Sequence, residues 1–260
     1  MQPIKDRFDD EITPAPLSVL VDPGRLAGLL NKDAQTELHP SAAYILHKQL
    51  EEADVIVINK ADRLAPEALS ELRAKAECAF PGIEIVTISA LTGEGVDEWL
   101  RLVSTRTDAG TRVVDVDYDI YAEGEAVLGW LNAHLTLCAK LPVDWSAVAE
   151  RLLVELSGTF DRRGAAVGHV KLLVAADGKQ CMGNLTGRTD TLAMRGDAVV
   201  ATEASLTLNA RAEMPPAALD QVVRDTLPTV MPAGGDATPT AWNCLSPGRP
   251  MPTHRYEHAV

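Results

Sequence analysis

The sequence lacks several features that would assign it at once to a class of protein. Aromatic residues make up only 4% of the chain, so Val, Leu, Ile and Ala must build its cores. No apolar run approaches the ~20 residues of a membrane-spanning helix, and the polar N-terminus is unlike a secretory signal. The four cysteines form no CxxC pair and suggest no disulfide framework. These absences predict a globular protein of the reducing cytoplasm with no membrane partner.

An excess of positive charge is also missing. The net charge is −13 and both halves of the chain are acidic. Proteins that bind nucleic acids neutralise phosphates with clustered Lys and Arg. The composition therefore predicts no nucleic-acid partner.

Three short apolar runs in the first part of the chain predict strands, at residues 17–22, 54–59 and 83–89. They show no polar–apolar alternation, and helical patterns separate them. Strands buried on both faces read in this way, so the pattern predicts a parallel α/β sheet. Asp22 followed by Pro23 predicts a helix N-cap, with proline at the first helical position.

The second part of the chain has a different pattern, with strand candidates that follow one another directly. After a linker at 105–112, alternating segments at 113–119 and 125–137 precede a helix at 144–160. Further strands and a last helix follow, which predicts an α+β, ferredoxin-like domain. The predicted domains are 1–108, 109–230 and a Pro/Gly-rich tail at 231–260 that we expect to be irregular.

Two polar pieces follow the second and third strands. Asn59-Lys60-Ala61-Asp62 begins where "VIVI" ends, and Ser89-Ala90 begins where "IVTI" ends. Ligands of open parallel sheets lie beyond the carboxyl ends of the strands. There Asp62 could accept hydrogen bonds from the ring N–H and the amine of guanine, and Lys60 could cover the base with its aliphatic stem. Asn59 could tie the loop together, and the Ala90 N–H could donate to guanine O6.

Each piece alone is weak evidence, because Asn and Asp are ordinary turn residues. Together, each closing a strand and separated by one helix, they favour a guanine-reading site. Metal ligation has less support: His134 with His169, or Cys138 with Cys181, could approach one another, but core or surface roles are commoner for such residues. Asp115, Asp117 and Asp119 read as a solvated strand face.

The segments "SVLVDPGRL", "HKQLEEADVIVINKADRL" and "TISALTGEGVDEWL" give the chain a family resemblance. It resembles the CobW-type P-loop GTPases of metal-centre and cobalamin biosynthesis, closely over residues 15–104 and more loosely beyond. The resemblance implies the C-terminal half of a G domain followed by the family's α+β domain. It also implies GTP or GDP as ligand, Mg²⁺, a transition metal such as Zn²⁺ or Co²⁺, and a metallochaperone role toward a metalloprotein client.

The phosphate-binding motif of such GTPases, GxxxxGK[ST], is absent from residues 1–260. The only Gly-Lys pair is Gly178-Lys179, in a segment that reads as a hairpin turn. We therefore expect a truncated G domain, whose missing half could be a partner, with weak or vestigial nucleotide binding. No residue is assigned to catalysis or to a metal, and the chain alone is predicted to hydrolyse no GTP. The alternative is a non-catalytic interaction module that uses its C-terminal α+β domain.

Overall fold

The computed structural model describes residues 1–31, 39–186, 192–251 and 253–260. They form two compact units: Met1–Gly124 with Arg249–Val260, and Glu125–Gly248. In this part of the chain, no helix is long and apolar enough to cross a bilayer.

The first unit is built on a three-stranded parallel sheet with the strand order β1-β2-β3. Its helices α2, α3 and α4 each have proline near the first helical position, where the missing N–H costs nothing. The elements are α1 (Gln2–Arg7), β1 (Ser18–Val21), α2 (Pro23–Leu30), α3 (Pro40–Glu52), β2 (Val55–Ile58), α4 (Pro66–Ala79), β3 (Glu84–Thr87), α5 (Val96–Thr105) and α6 (Tyr118–Ala126).

The central strand β2 is buried on both faces, which explains its unbroken apolar sequence. Ile56 and Ile58 belong to a core that includes Leu26, Leu72 and other residues of α2, α3 and α4. Val55 and Val57 belong to a smaller core, against which Trp99 of α5 packs. The first unit therefore divides its apolar residues between two clusters.

A buried carboxylate, Asp54, fixes the chain just before β2. It is only 4% exposed. One oxygen accepts from the Leu17 N–H at 2.8 Å and the Gly110 N–H at 2.6 Å, and the other accepts from the Thr111 N–H at 3.1 Å and its hydroxyl at 3.0 Å. These bonds connect the segment before β1 with the segment after α5, so Asp54 has a structural role.

The second unit is an antiparallel six-stranded sheet with two long helices. The strand order is β7-β6-β5-β8-β4-β9, and every pair is antiparallel. Its elements are β4 (Gly129–Asp144), α7 (Trp145–Arg162), β5 (Val167–Ala176), β6 (Lys179–Leu185), β7 (Ala193–Gly196), β8 (Val200–Ala212), α8 (Pro216–Val230) and β9 (Asp236–Leu245).

One continuous core lies between this sheet and its helices. Leu131, Leu135 and Leu137 alternate along β4 and contribute to it, as the period of a half-buried strand requires. The largest fully buried side chains of the core include Trp145 and Phe160 of α7. The helices α7 and α8 pack against each other and on the strands.

Two expectations about local structure are wrong. The tail contains a strand, β9, which pairs with β4 from Asp236 to Leu245. Pro239 within it argues against a strand in sequence, but β9 is an edge strand of the sheet that the described residues form, and proline is tolerated in edge strands. Residues 113–117 form no strand, and Asp117 instead accepts from the N–H groups of Asp119 and Ile120 where α6 begins.

Candidate functional site

The predicted site residues lie at the carboxyl edge of the parallel sheet. Val21, Ile58 and Thr87 are in register across the three strands, and each is the last residue of its strand. The polar segments that follow them therefore emerge side by side. This edge is where parallel α/β proteins bind ligands.

Asn59 joins the loop after β2 to the loop after β3. Its Oδ1 accepts from the Lys60 N–H at 2.7 Å and from the Ala90 N–H at 3.0 Å. The Ala61 N–H adds a bond to the carbonyl oxygen of Ile88 at 3.0 Å. Asn59 thus connects the two loops, and the Ala90 N–H, predicted to donate to guanine O6, donates to Asn59 in this structure.

Asp62 and Ser89 are in direct contact. The Ser89 hydroxyl donates to Asp62 Oδ1 at 2.5 Å and accepts from the Thr92 N–H at 3.1 Å. Ser89 is fully buried, whereas Asp62 is exposed. Asp62 Oδ2 makes no hydrogen bond within the described ranges. Ser89 therefore orients a carboxylate whose second oxygen remains open toward solvent.

Lys60 occupies an unusual backbone conformation and reaches across to the neighbouring strand. Its φ is 65°, in the left-handed region that a non-glycine residue adopts only at a cost. Its Nζ lies 2.7 Å from Asp22 Oδ2. The bond from the Lys60 N–H to Asn59 helps to hold this conformation.

Asp22 has two functions in the structure, of which sequence reasoning found one. It caps α2, as predicted, by accepting from the Gly24 N–H at 2.9 Å. It also pairs with Lys60, which sequence reasoning missed. Burial by itself would raise the pKa of Asp22, but Lys60 and the N–H groups of Gly24 and Arg25 outweigh it, so the pKa lies below its ordinary value. The signal that was missed is Asp22 itself, an acidic residue directly after β1, the strand that pairs with the one preceding "NKAD".

The metals implied by the family resemblance find no ligand set here. Across the described ranges, no three His, Cys, Asp or Glu side chains come together in a group that could hold an ion. His134 Nδ1 lies 2.9 Å from the Thr207 hydroxyl. Cys138 is exposed and Cys181 is buried in the core, so the two thiols lie in different surroundings. These residues do not fit Mg²⁺, Zn²⁺ or Co²⁺.

A cleft of about 470 Å³ runs along the whole of β3, including its last residue, Thr87. Strand β3 lines it between Arg73 and Glu77 of α4 and Glu98 and Trp99 of α5. Its charged side chains are mostly acidic, and Arg73 is paired with Glu77 at 2.9 Å. None of the predicted guanine-site residues lines the cleft.

Comparison with known proteins finds weak similarity to solved structures. No family model and no curated protein matches the chain. The crystal structure of the Zn(II)-bound YjiA GTPase from E. coli is 14% identical, with a TM-score of 0.28, over 89% of this chain and 67% of that one. A Zn(II)-bound triple mutant of YjiA is 15% identical, with a TM-score of 0.28, over 88% and 67%. Similarity at this level carries no argument about function. The proposal below therefore rests on the residues of this chain.

Proposed function

We propose that this chain recognises guanine through Lys60 and Asp62, with Asn59, Ser89 and Ala90 holding the two loops in place, as a relative of the CobW-type P-loop GTPases. The observation that carries the proposal is the contact between the Ser89 hydroxyl and Asp62. It fixes an exposed carboxylate at the carboxyl edge of a parallel sheet, where the chain's two guanine-reading pieces converge.

The chemistry of Asp62 suits guanine and disfavours adenine. An ionised carboxylate only accepts hydrogen bonds, and guanine offers two adjacent donors, its ring N–H and its exocyclic amine. Adenine has no such pair, so it would leave the carboxylate without a partner. An unpaired polar group costs ~1–3 kcal/mol, which is the source of selectivity.

Hydrolysis of GTP is not part of the proposal for these 260 residues. The charge-stabilising Lys and Ser/Thr of a phosphate loop are absent from the sequence. Gly178-Lys179 cannot replace them, because Asp177 and Gly178 form the tight turn of the β5–β6 hairpin, with φ of 51° and 76°. Binding of guanine without turnover is the activity that the residues support.

The strand order of the second unit supports the wider family relationship. Strands β9-β4-β8-β5, with α7 and α8 between them in the chain, follow the order of a ferredoxin-like domain, and β6 and β7 add a hairpin. We extend the proposal to the C-terminal half of a G domain followed by this α+β domain. The proposal also includes a metallochaperone role, a metalloprotein client and a cytoplasmic location. The family resemblance of residues 15–104 supports these parts.

A second candidate function is a non-catalytic interaction module built on the second unit. On the sheet face opposite the core, the Arg211 guanidinium stacks 4.3 Å from the Trp130 ring, and Asn209 donates to Asn132 at 2.7 Å. Stacked Arg and Trp side chains are typical anchors of protein interfaces. This function would depend on Trp130 and Arg211 and would be unaffected by Asp62.

Isothermal titration calorimetry with Asp62→Asn tests the proposal. The wild-type chain should bind guanosine about tenfold or more tightly than adenosine. Asp62→Asn should lose most of this preference, because an amide presents a donor where guanine also donates. Asp97→Asn, an exposed acid at the start of α5, provides the matched control and should bind like wild type. Equal guanosine affinity in the wild-type and Asp62→Asn proteins would reject the site.

A further inference from the structure

The pair formed by Asp22 and Lys60 connects two neighbouring strand ends. Asp22 follows β1 and Lys60 follows β2, and their charged atoms lie 2.7 Å apart. Their side chains are 26% and 30% exposed, so solvent screens the pair only in part. The pair is therefore a fixed feature of the carboxyl edge.

Lys60 is held at both ends. Asn59 Oδ1 accepts from its backbone N–H at 2.7 Å, and Asp22 Oδ2 takes its ammonium group. Asp22 is itself held through Oδ1 by the Gly24 N–H at the start of α2. A lysine stem has several rotatable bonds and loses rotamer freedom when it orders. These contacts order the stem before any ligand arrives.

We propose that Asp22 is the positioning residue for Lys60, and that the site binds uncharged guanine or its nucleoside without using phosphate groups. The proposal rests on the proposed function and adds the chemical class of the ligand. The aliphatic stem of Lys60 packs on the base, while the Asp22 carboxylate pairs with the Lys60 ammonium group.

The Asp22–Lys60 pair and Asp62 favour a ligand without phosphates. The Asp22 carboxylate balances the Lys60 charge, so this pair offers no net attraction to an anion. The N–H of Gly24 at the start of α2, a group of the kind that binds phosphate in other proteins, already donates to Asp22. Asp62, with an oxygen open to solvent, adds a further negative charge.

The first experiment compares guanosine, GMP and GDP by calorimetry with the full chain. The three ligands should bind within about threefold of one another, with GMP and GDP no tighter than guanosine. Any small deficit of GDP should vanish at 1 M salt, where the Debye length falls to ~3 Å. Binding of GDP more than tenfold tighter than guanosine would overturn this inference and leave guanine recognition intact.

The second experiment uses Asp22→Asn, which retains a capping side chain for α2. Without the carboxylate, the Lys60 ammonium loses this partner and should attract a ligand phosphate more strongly. The affinity for GMP relative to guanosine should then rise about fivefold, as expected for one partly exposed ion pair. A purely structural defect would weaken all three ligands equally and leave the ratio unchanged, and that result would overturn the inference.

Two further variants keep the test decisive. Glu77→Gln removes an exposed ion pair with Arg73 on α4 that involves none of the site residues, and it should leave every affinity unchanged. Lys60→Met keeps the apolar stem without the charge, so adding Asp22→Asn to it should change the GMP-to-guanosine ratio by less than twofold. A fivefold change in that double variant would show that Asp22 acts by another route. If none of the three ligands binds the wild-type chain, guanine recognition fails together with this inference.

Discussion

The two units of the molecule bury their apolar residues in different ways. The second unit buries one continuous apolar core between long antiparallel strands and two helices. The first unit has four-residue strands and divides its core between two faces of the sheet. The side chains that we propose to read guanine are on the unit with the smaller cores, so the proposed recognition site and the largest apolar core are separated along the chain.

Buried polar side chains sharpen the contrast. Gln2, Ser41, Asp54 and Ser89 are buried in the first unit, whereas Thr226 is the single buried polar side chain among the described residues of the second. The Gln2 amide donates to the Gly110 carbonyl oxygen at 2.7 Å and accepts from the Val260 N–H at 3.0 Å. The first unit thus depends on hydrogen bonds between distant segments, and this difference can be tested.

The largest expected effect comes from dividing the chain at the unit boundaries. Residues 125–248, expressed alone, should unfold cooperatively, because the continuous core lies entirely within them. Residues 1–124 alone should aggregate or fail to fold. They lose the tail contacts, including that from the Tyr256 hydroxyl to Asp6 at 2.7 Å, and retain a short parallel sheet. Calorimetry and circular dichroism of both fragments measure the outcome.

A control fragment separates these causes. Residues 1–124 fused through a flexible linker to residues 249–260 should recover part of the lost structure, because Val260 can again reach Gln2. A cooperative transition in residues 1–124 without the tail would contradict the account of the first unit.

A matched pair of phenylalanines gives the next largest effect. Phe160 is fully buried in the second unit, and Phe80 is 3% exposed in the first. Each replacement by Ala should cost ~3–5 kcal/mol of unfolding free energy, confined to its own unit. Fluorescence during urea unfolding follows both units, because Trp99 is in the first unit and Trp130, Trp145 and Trp242 are in the second. If Phe80→Ala and Phe160→Ala shifted a single shared transition, the units would not be independent.

The smallest effect concerns the buried carboxylate of Asp54. Burial alone would raise its pKa, but hydrogen bonds from Gly110, Leu17 and Thr111 outweigh burial and lower it. The carboxylate therefore contributes stability above its unfolded pKa of about 3.9, and the contribution is lost as the pH falls through the lower folded pKa. Asp54→Asn should cost ~2 kcal/mol at pH 7, because its amide would face backbone donors.

The measurement for Asp54 is a series of urea unfolding curves from pH 7 to pH 2. The stability difference between the wild-type and Asp54→Asn proteins should shrink as the pH falls below about 4. Asp108→Asn serves as the control, because Asp108 pairs with Arg106 at the surface. A difference that stays constant down to pH 2 would mean that folding does not lower the pKa of Asp54.

The sequence predicted the first unit's strands well because both faces of its sheet are covered. An unbroken run of β-branched apolar residues such as "VIVI", followed by a helix that begins at proline, indicates a strand buried on both faces. The same reasoning failed at residues 113–117, where alternating Val and Asp form no strand. It also failed at β9, whose one-sided pairing with β4 overrides a low strand propensity.

By itself, the sequence determined the mixed α/β organisation and the position of the polar pieces at strand ends, since these follow from local periodicity and turn chemistry. Only the tertiary structure decided which polar atoms meet. The Ser89 hydroxyl reaches Asp62 across 27 positions, and the Asp54 carboxylate collects donors from residues 17, 110 and 111. Asp22 pairs with Lys60 because parallel pairing sets β1 beside β2. Such contacts depend on strand register, which no local pattern encodes.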